Sequence, residues 1–246
     1  MLLREDFIRS GRWLFRWRSY SPLPVVVLVL AGMSRYTYPQ GSHTVDLFWQ
    51  TFCLTVALLG LAIRVLVIGH VPEATSGRNS RTQVAAQLNT SGMYSVVRHP
   101  LYVGNFLMWL GPALYPHRWD LALLVICLFV LQYERIIFAE EEFLSATFGE
   151  TFDRWAAVTP AVLPRLRQWQ PPALPFSLRT VLRREYSGFF GTIVIFTLLD
   201  AAADWQLHGR IMLDPVWAVL FLFGLCVYLV LRLIKRRTKL LTVSGR

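Results

Sequence analysis

The chain has 246 residues, of which 54% are apolar and only 16% charged, and its mean hydropathy is +0.43. A soluble domain carries about 25% charged residues, so an ordinary soluble enzyme is excluded, and an aromatic content of 14% excludes disorder. The net charge of +10 suits nucleic acid or an anionic membrane face, and long apolar runs decide for the membrane.

A spanning helix needs roughly 20 mostly apolar residues. The first run, 23–33, is short, and 34–38 extends it if Arg35 snorkels. Its charged lead contains Glu5 and Asp6, unlike a cleavable signal peptide, so it reads as a retained anchor. Run 46–68 is long enough to cross, and 101–115 contains Gly111 and Pro112. Runs 121–138, 188–203 and 215–234 complete the set. With six crossings and the N-terminus inside, the inner segments hold 19 of the 25 Lys and Arg, and the outer loops 3. That asymmetry is what the positive-inside rule expects, and it explains the charge without nucleic acid. The expected fold is therefore all-α and polytopic, in a bacterial inner membrane, with both termini cytoplasmic.

Two inner segments are longer than turns. Residues 70–100 are polar. Residues 140–186 open with Glu140, Glu141 and Glu142, then place Phe143, Leu144, Phe148, Phe152 and Trp155 at helical intervals. This spacing predicts a cytoplasmic amphipathic helix reaching from the fourth span, ended by a proline-rich stretch from Pro160 to Pro175. The chain divides into a basic arm with the first span (1–46), a core (47–166), and a linker with two appended spans (167–246). Gly188, Gly191 and 201–203 in the last two spans permit close helix packing, as a homodimer face or a lipid-entry wall. Cys53, Cys127 and Cys226 read as small apolar helix residues.

The unusual residues lie on the inner side, so an active site is expected to face the cytoplasm. Residues 88–105 concentrate Gly92, Tyr94, Arg98, His99, Pro100, Tyr102 and Gly104. Pro100 fits the first turn of a helix. Arg98 and His99 then precede a helix N-terminus, which suits an anion. Gly104 lets a ligand or another backbone approach. The same residues also read as a plain helix start with interfacial side chains. Glu134 and Arg135 lie inside an apolar run, where charge is costly unless paired or facing a polar cavity. The plain reading is an ion pair of Glu134 or Glu140 with Arg98 or Arg64. Arg78, Asn79 and Arg81 form either a solvated loop or a phosphate or carboxylate clamp. The histidines show no metal-ligand spacing, so no metal is expected. Neither a dinucleotide fingerprint nor a nucleophile elbow is present.

Ser91-Gly-x-Tyr-x-x-x-Arg-His-Pro-x-Tyr-x-Gly104 resembles the core motif of the isoprenylcysteine carboxyl methyltransferase and phospholipid methyltransferase family. So does Glu140-Glu-x-x-Leu-x-x-x-Phe-Gly149, although Phe152 and Trp155 stand where tyrosines are commoner. The resemblance covers roughly 47–166. It implies an integral-membrane methyltransferase that uses S-adenosylmethionine, held by Tyr94, Arg98, His99, Tyr102, Gly104, Glu140 and Glu141. The charged residues Arg98, Glu134 and Arg135 are the candidates nearest the reaction, and Arg78, Asn79 and Arg81 those for substrate. The expected acceptor is an anionic oxygen of an amphipathic lipid. A weaker likeness, 75–79 ahead of 88–92, is to members that methylate a lipid A phosphate. The alternatives are a prenylcysteine carboxylate, the amine of phosphatidylethanolamine, a membrane reductase, or a non-catalytic adaptor.

Overall fold

A computed structural model describes residues 2–72, 75 and 85–246. Among these residues all regular structure is helical, apart from one isolated bridge between Gly92 and Gln170. The helices are α1 (Leu3–Trp17), α2 (Pro22–Gly32), α3 (His43–His70), α4 (Met93–Val96), α5 (Pro100–Leu114), α6 (Trp119–Phe148), α7 (Glu150–Val158), α8 (Leu178–His208) and α9 (Pro215–Arg237). Of these, α3, α6, α8 and α9 are long and apolar enough to cross a membrane. The chain is an integral membrane protein. Each apolar run predicted from the sequence falls on a helix, but α2 has 11 residues and α5 has 15. At 1.5 Å per residue, neither reaches across a hydrocarbon core of about 30 Å by itself.

The extension of the first run stops early. A short 3₁₀ turn ends at Arg35, and Tyr36 takes extended backbone. The Tyr36 hydroxyl donates to Asp46, which also accepts from Gln50 Nε2 at 2.8 Å and lies 3.3 Å from His117 Nε2. This knot closes the end of the bundle opposite the candidate site.

The basic arm is a helix. Phe7, Gly11 and Phe15 recur at helical spacing on one face of α1, and Gly11 and Phe15 are buried. A Cβ at Gly11 would run into the Arg135 carbonyl oxygen, so α1 rests on α6 at backbone distance. Arg4 pairs with Glu142 at 2.7 Å, and Phe7 meets Phe138 edge-on at 5.7 Å.

The tightest helix pair is α3 with α5. Gly60 and Gly104 face each other across it. A Cβ on Gly104 would lie 2.8 Å from the Gly60 carbonyl oxygen and 2.7 Å from Arg64 Cγ. Small residues let helices in lipid approach this closely. Gly60→Ala is expected to force the helices apart at a cost of about 2 kcal/mol. A thermal melt of the solubilised protein that matches the parent would contradict this packing.

The predicted amphipathic helix is real but broken. The fourth span runs on as α6 to Phe148, and Gly149 turns the chain with φ 54° before α7 begins. That left-handed value suits glycine. The turn brings buried Phe152 and Trp155 back towards residues 93–99.

Candidate active site

The C-terminal end of α3 and the N-terminal ends of α5 and α8 surround a cleft of about 1090 Å³, its open mouth included. Residues 91–99 form one wall. They are held by backbone pairing with the proline-rich stretch: Arg98 N–H donates to Pro160 O at 2.8 Å, and Arg165 N–H to Val96 O at 2.9 Å. Pro100 opens α5 as the sequence predicts, with His99 in the preceding cap position.

The two sequence motifs meet here. Arg98 Nε donates to Glu141 Oε1 at 2.8 Å, and its Nη1 donates to the carbonyls of Ala156 and Thr159 at 2.6 and 3.0 Å. His99 Nε2 lies 2.9 Å from the same Glu141 oxygen. Tyr102 donates to Glu140 Oε2 at 2.8 Å and stacks on His99 with centroids 5.5 Å apart. Trp155 Nε1 donates to the Tyr94 carbonyl at 3.3 Å. Desolvation, and next the Glu140 carboxylate, push the Tyr94 hydroxyl above its ordinary range, so it stays a neutral phenol.

This geometry separates the candidates by role. Tyr94, Arg98, His99, Tyr102 and Glu140 line the cleft. The Arg98 guanidinium, however, is already engaged by Glu141 and two carbonyls, so it fastens the 91–99 wall to α6 and α7. Gly104 faces α3, and its role in the structure is helix packing. Arg135 is not among the cleft-lining residues. Its Nη1 donates to Ser10 Oγ at 2.9 Å, it lies 3.5 Å from Asp6, and it covers the Phe7 ring, so it clamps α1. Glu134 is exposed on α6 and is not among the cleft-lining residues. The ion pairs are also reassigned: Arg98 pairs with Glu141, and Arg64 with Glu185. Arg78, Asn79 and Arg81 lie outside the described residues. Thr75 and Ala85, described on either side of them, both line the cleft.

Several cleft residues were not singled out from the sequence. Arg64 binds Glu185 through two bonds of 2.8 and 2.9 Å and donates to Asn105 Oδ1 at 2.6 Å. Asn105 in turn donates to the Tyr133 hydroxyl at 3.0 Å. Arg18 and Arg184 complete a lining in which arginines outnumber carboxylates. Glu185 is only 4% exposed and belongs to α8, so a helix after the core contributes to the cleft.

Residues 49–151 match the model of a family described as phospholipid methyltransferase. Over these residues, about two fifths of the chain, it is similar to the phospholipid methyltransferase family. The family segment holds both motifs, whereas α1, α2, α8 and α9 lie outside it. The chain is 33% identical over 142 residues to the nickel-cobalt-cadmium resistance protein NccN of Alcaligenes xylosoxydans xylosoxydans, covering 58% of this chain and 60% of that protein. It is 36% identical over 113 residues to the cobalt-zinc-cadmium resistance protein CzcN of Cupriavidus metallidurans, covering 46% of this chain and 50% of that one. The chain thus spans about half to three-fifths of the length of these curated relatives. No solved structure gives a significant match. Among the described residues, no group of three His, Cys, Asp or Glu side chains is placed to hold a metal ion.

Proposed function

We propose that this protein is an S-adenosylmethionine-dependent methyltransferase that esterifies an anionic oxygen of an amphipathic lipid at the cytoplasmic face of the membrane. The observation that carries this reading is the meeting of the Arg98-His99 and Glu140-Glu141 motifs in one cleft, in a chain whose core is similar to the phospholipid methyltransferase family. The cleft chemistry fits the cofactor. Glu140 suits an ammonium or a ribose hydroxyl, the arginines suit a carboxylate, and Tyr94, Tyr102 and Trp155 suit an aromatic base.

When bound, the cofactor supplies a methyl group already activated on a sulfonium. The protein's own work is then placement and the exclusion of water. Tyr102 holds the Glu140 carboxylate, and Arg98 with Glu141 ties the 91–99 wall to α6. Phe143, Leu144 and Trp155 give the cleft an apolar side. An anionic acceptor oxygen carries no proton to lose, so the transfer needs no general base. The excess of arginine over carboxylate in the lining supports such an acceptor, a phosphate or carboxylate, over a protonated amine. A lipid A phosphate is one member of that class. Arg78, Asn79 and Arg81 remain proposed substrate contacts, supported by the position of their described neighbours at the cleft.

The relatives named for metal resistance suit an anionic acceptor such as a phosphate. Methylating a phosphate oxygen removes a negative charge, and a less anionic surface attracts divalent cations less strongly. Vesicles of native lipid treated with the protein and cofactor are expected to bind less nickel than untreated vesicles.

The direct test incubates the solubilised protein with methyl-labelled S-adenosylmethionine and a total lipid extract. Label in an anionic lipid is the expected result. Folded protein that neither binds the cofactor nor labels any acceptor would overturn the reading. Tyr102→Phe removes one hydrogen bond to Glu140, and cofactor affinity is expected to fall about tenfold. Unchanged affinity by equilibrium dialysis would remove Glu140 from the cofactor site.

A further inference from the structure

We propose that a second, apolar groove between α2, α5 and α8 holds one acyl chain of the lipid whose headgroup enters the cleft. The groove has a volume of about 370 Å³, its open side included, and is lined by Pro, Val, Leu, Ile, Met and Trp side chains alone. This inference rests on the reading of the cleft as the place where the headgroup binds.

Continuity is the argument. The same three stretches of chain pass from cleft to groove in the same order. On α5, Tyr102 and Asn105 face the cleft, and Met108, Trp109 and Pro112 face the groove, steps of three or four along one helix face. Phe15 and Arg18 line the cleft just before α2, whose Pro22, Val26 and Leu30 line the groove. On α8, Arg184 and Glu185 give way to Ile195 and Leu199. A molecule lying along this seam meets cations at one end and hydrocarbon at the other, which describes an anionic lipid.

The dimensions agree. From Pro22 to Leu30 the wall of α2 is about 12 Å long at 1.5 Å per residue, close to the roughly 15 Å depth of one hydrocarbon leaflet. Trp109, Val29 and Leu199 are buried and form the floor, and Val26, Met108 and Ile195 are half-buried at the rim. Two of the three walls, α2 and α8, lie outside the segment matched to the family. Chain selection would then be set mostly by elements outside the family segment, while that segment holds the headgroup.

The test uses the full chain in lipid nanodiscs containing phosphatidic acid with a diazirine midway along one acyl chain. Phosphatidylcholine with the same chain is the comparison. After illumination, labelled residues are located by mass spectrometry. Phosphatidic acid is expected to label the rim residues Val26, Met108 and Ile195 several-fold above phosphatidylcholine. Val26→Trp fills the groove from its rim, and label there should fall about tenfold. If that variant melts well below the parent, Ile195→Trp fills the groove from the other side. Label spread evenly over outward residues such as Leu123 and Leu222, unchanged by either tryptophan, would overturn the proposal. Equal labelling by the two lipids would also overturn it, because the headgroup would then not be coupled to the groove. Cofactor binding is measured on the same samples. Its loss with groove labelling intact would count against the methyltransferase reading alone, and the reverse against the groove alone.

Discussion

Replacing Arg98 with alanine is expected to disable the protein in two ways at once. Its guanidinium donates to Glu141 and to the carbonyls of Ala156 and Thr159, which joins the 91–99 wall to α6 and α7. The side chain is 17% exposed and that of Glu141 25%, so solvent screens the pair only in part. Losing several charge-assisted hydrogen bonds at such a site costs about 3 kcal/mol. For a chain of this size that is a fall in melting temperature of roughly 10 °C. Cofactor affinity, measured at a temperature where the variant is fully folded, should also fall. The wall carrying His99 is no longer fixed, and a displacement of about 1 Å near reacting groups can cost about 100-fold in rate. Arg98→Lys keeps the charge but loses the planar fork, so it should recover the melting temperature only in part. An Arg98→Ala protein that melts and binds cofactor as the parent does would remove Arg98 from the architecture of the site.

The outcome at Arg98 also marks what could be read from the sequence. Pro100 after Arg98-His99 announced a helix start because that signal is local, and α5 begins there. The acidic pair was joined to it by the family resemblance and by the plain reading of a Glu140–Arg98 ion pair, but the partner is Glu141, a contact that bridges 43 positions. Gly104 was open to two readings, a ligand or a backbone neighbour, and spacing could not separate them. Packing on Gly60 supplies the backbone neighbour. The contacts of Arg135 with α1 were not foreseen, because the arm before the first span was treated only as a store of positive charge. The spacing of Phe7, Gly11 and Phe15 was the available signal for α1, and α1 holds the Asp6 and Ser10 that Arg135 meets. Glu185 had no such signal. It lies among arginines at the start of a span, and its partner is 121 positions away. A buried ion pair of this kind becomes visible only once the helices are packed.

That pair carries the other large expectation. Glu185 is 4% exposed, and Arg64 grips both of its oxygens. Arg64→Ala would leave a buried carboxylate without its cation, which costs about 3–5 kcal/mol. Glu185→Gln keeps the shape and some hydrogen bonding, and should cost only about 1–2 kcal/mol. Replacing both at once, Arg64→Met with Glu185→Leu, removes the stranded charge as well as the pair. Its loss of stability should therefore be smaller than that of Arg64→Ala alone, and the cycle of parent, Arg64→Met, Glu185→Leu and the double should show a coupling of about 0.5–3 kcal/mol. Activity should not follow the same pattern. The double variant is expected to remain inactive although it is folded, because Arg64 also positions Asn105 beside Tyr133 and supplies positive charge to the cleft. Thermal melts and methyl transfer read on the same four proteins separate these effects. Purely additive melts would mean that Arg64 and Glu185 do not act as a pair, and α8 would lose its place in the site. Coupled melts with lost activity would tie α8, which lies beyond the family segment, to the chemistry of the core.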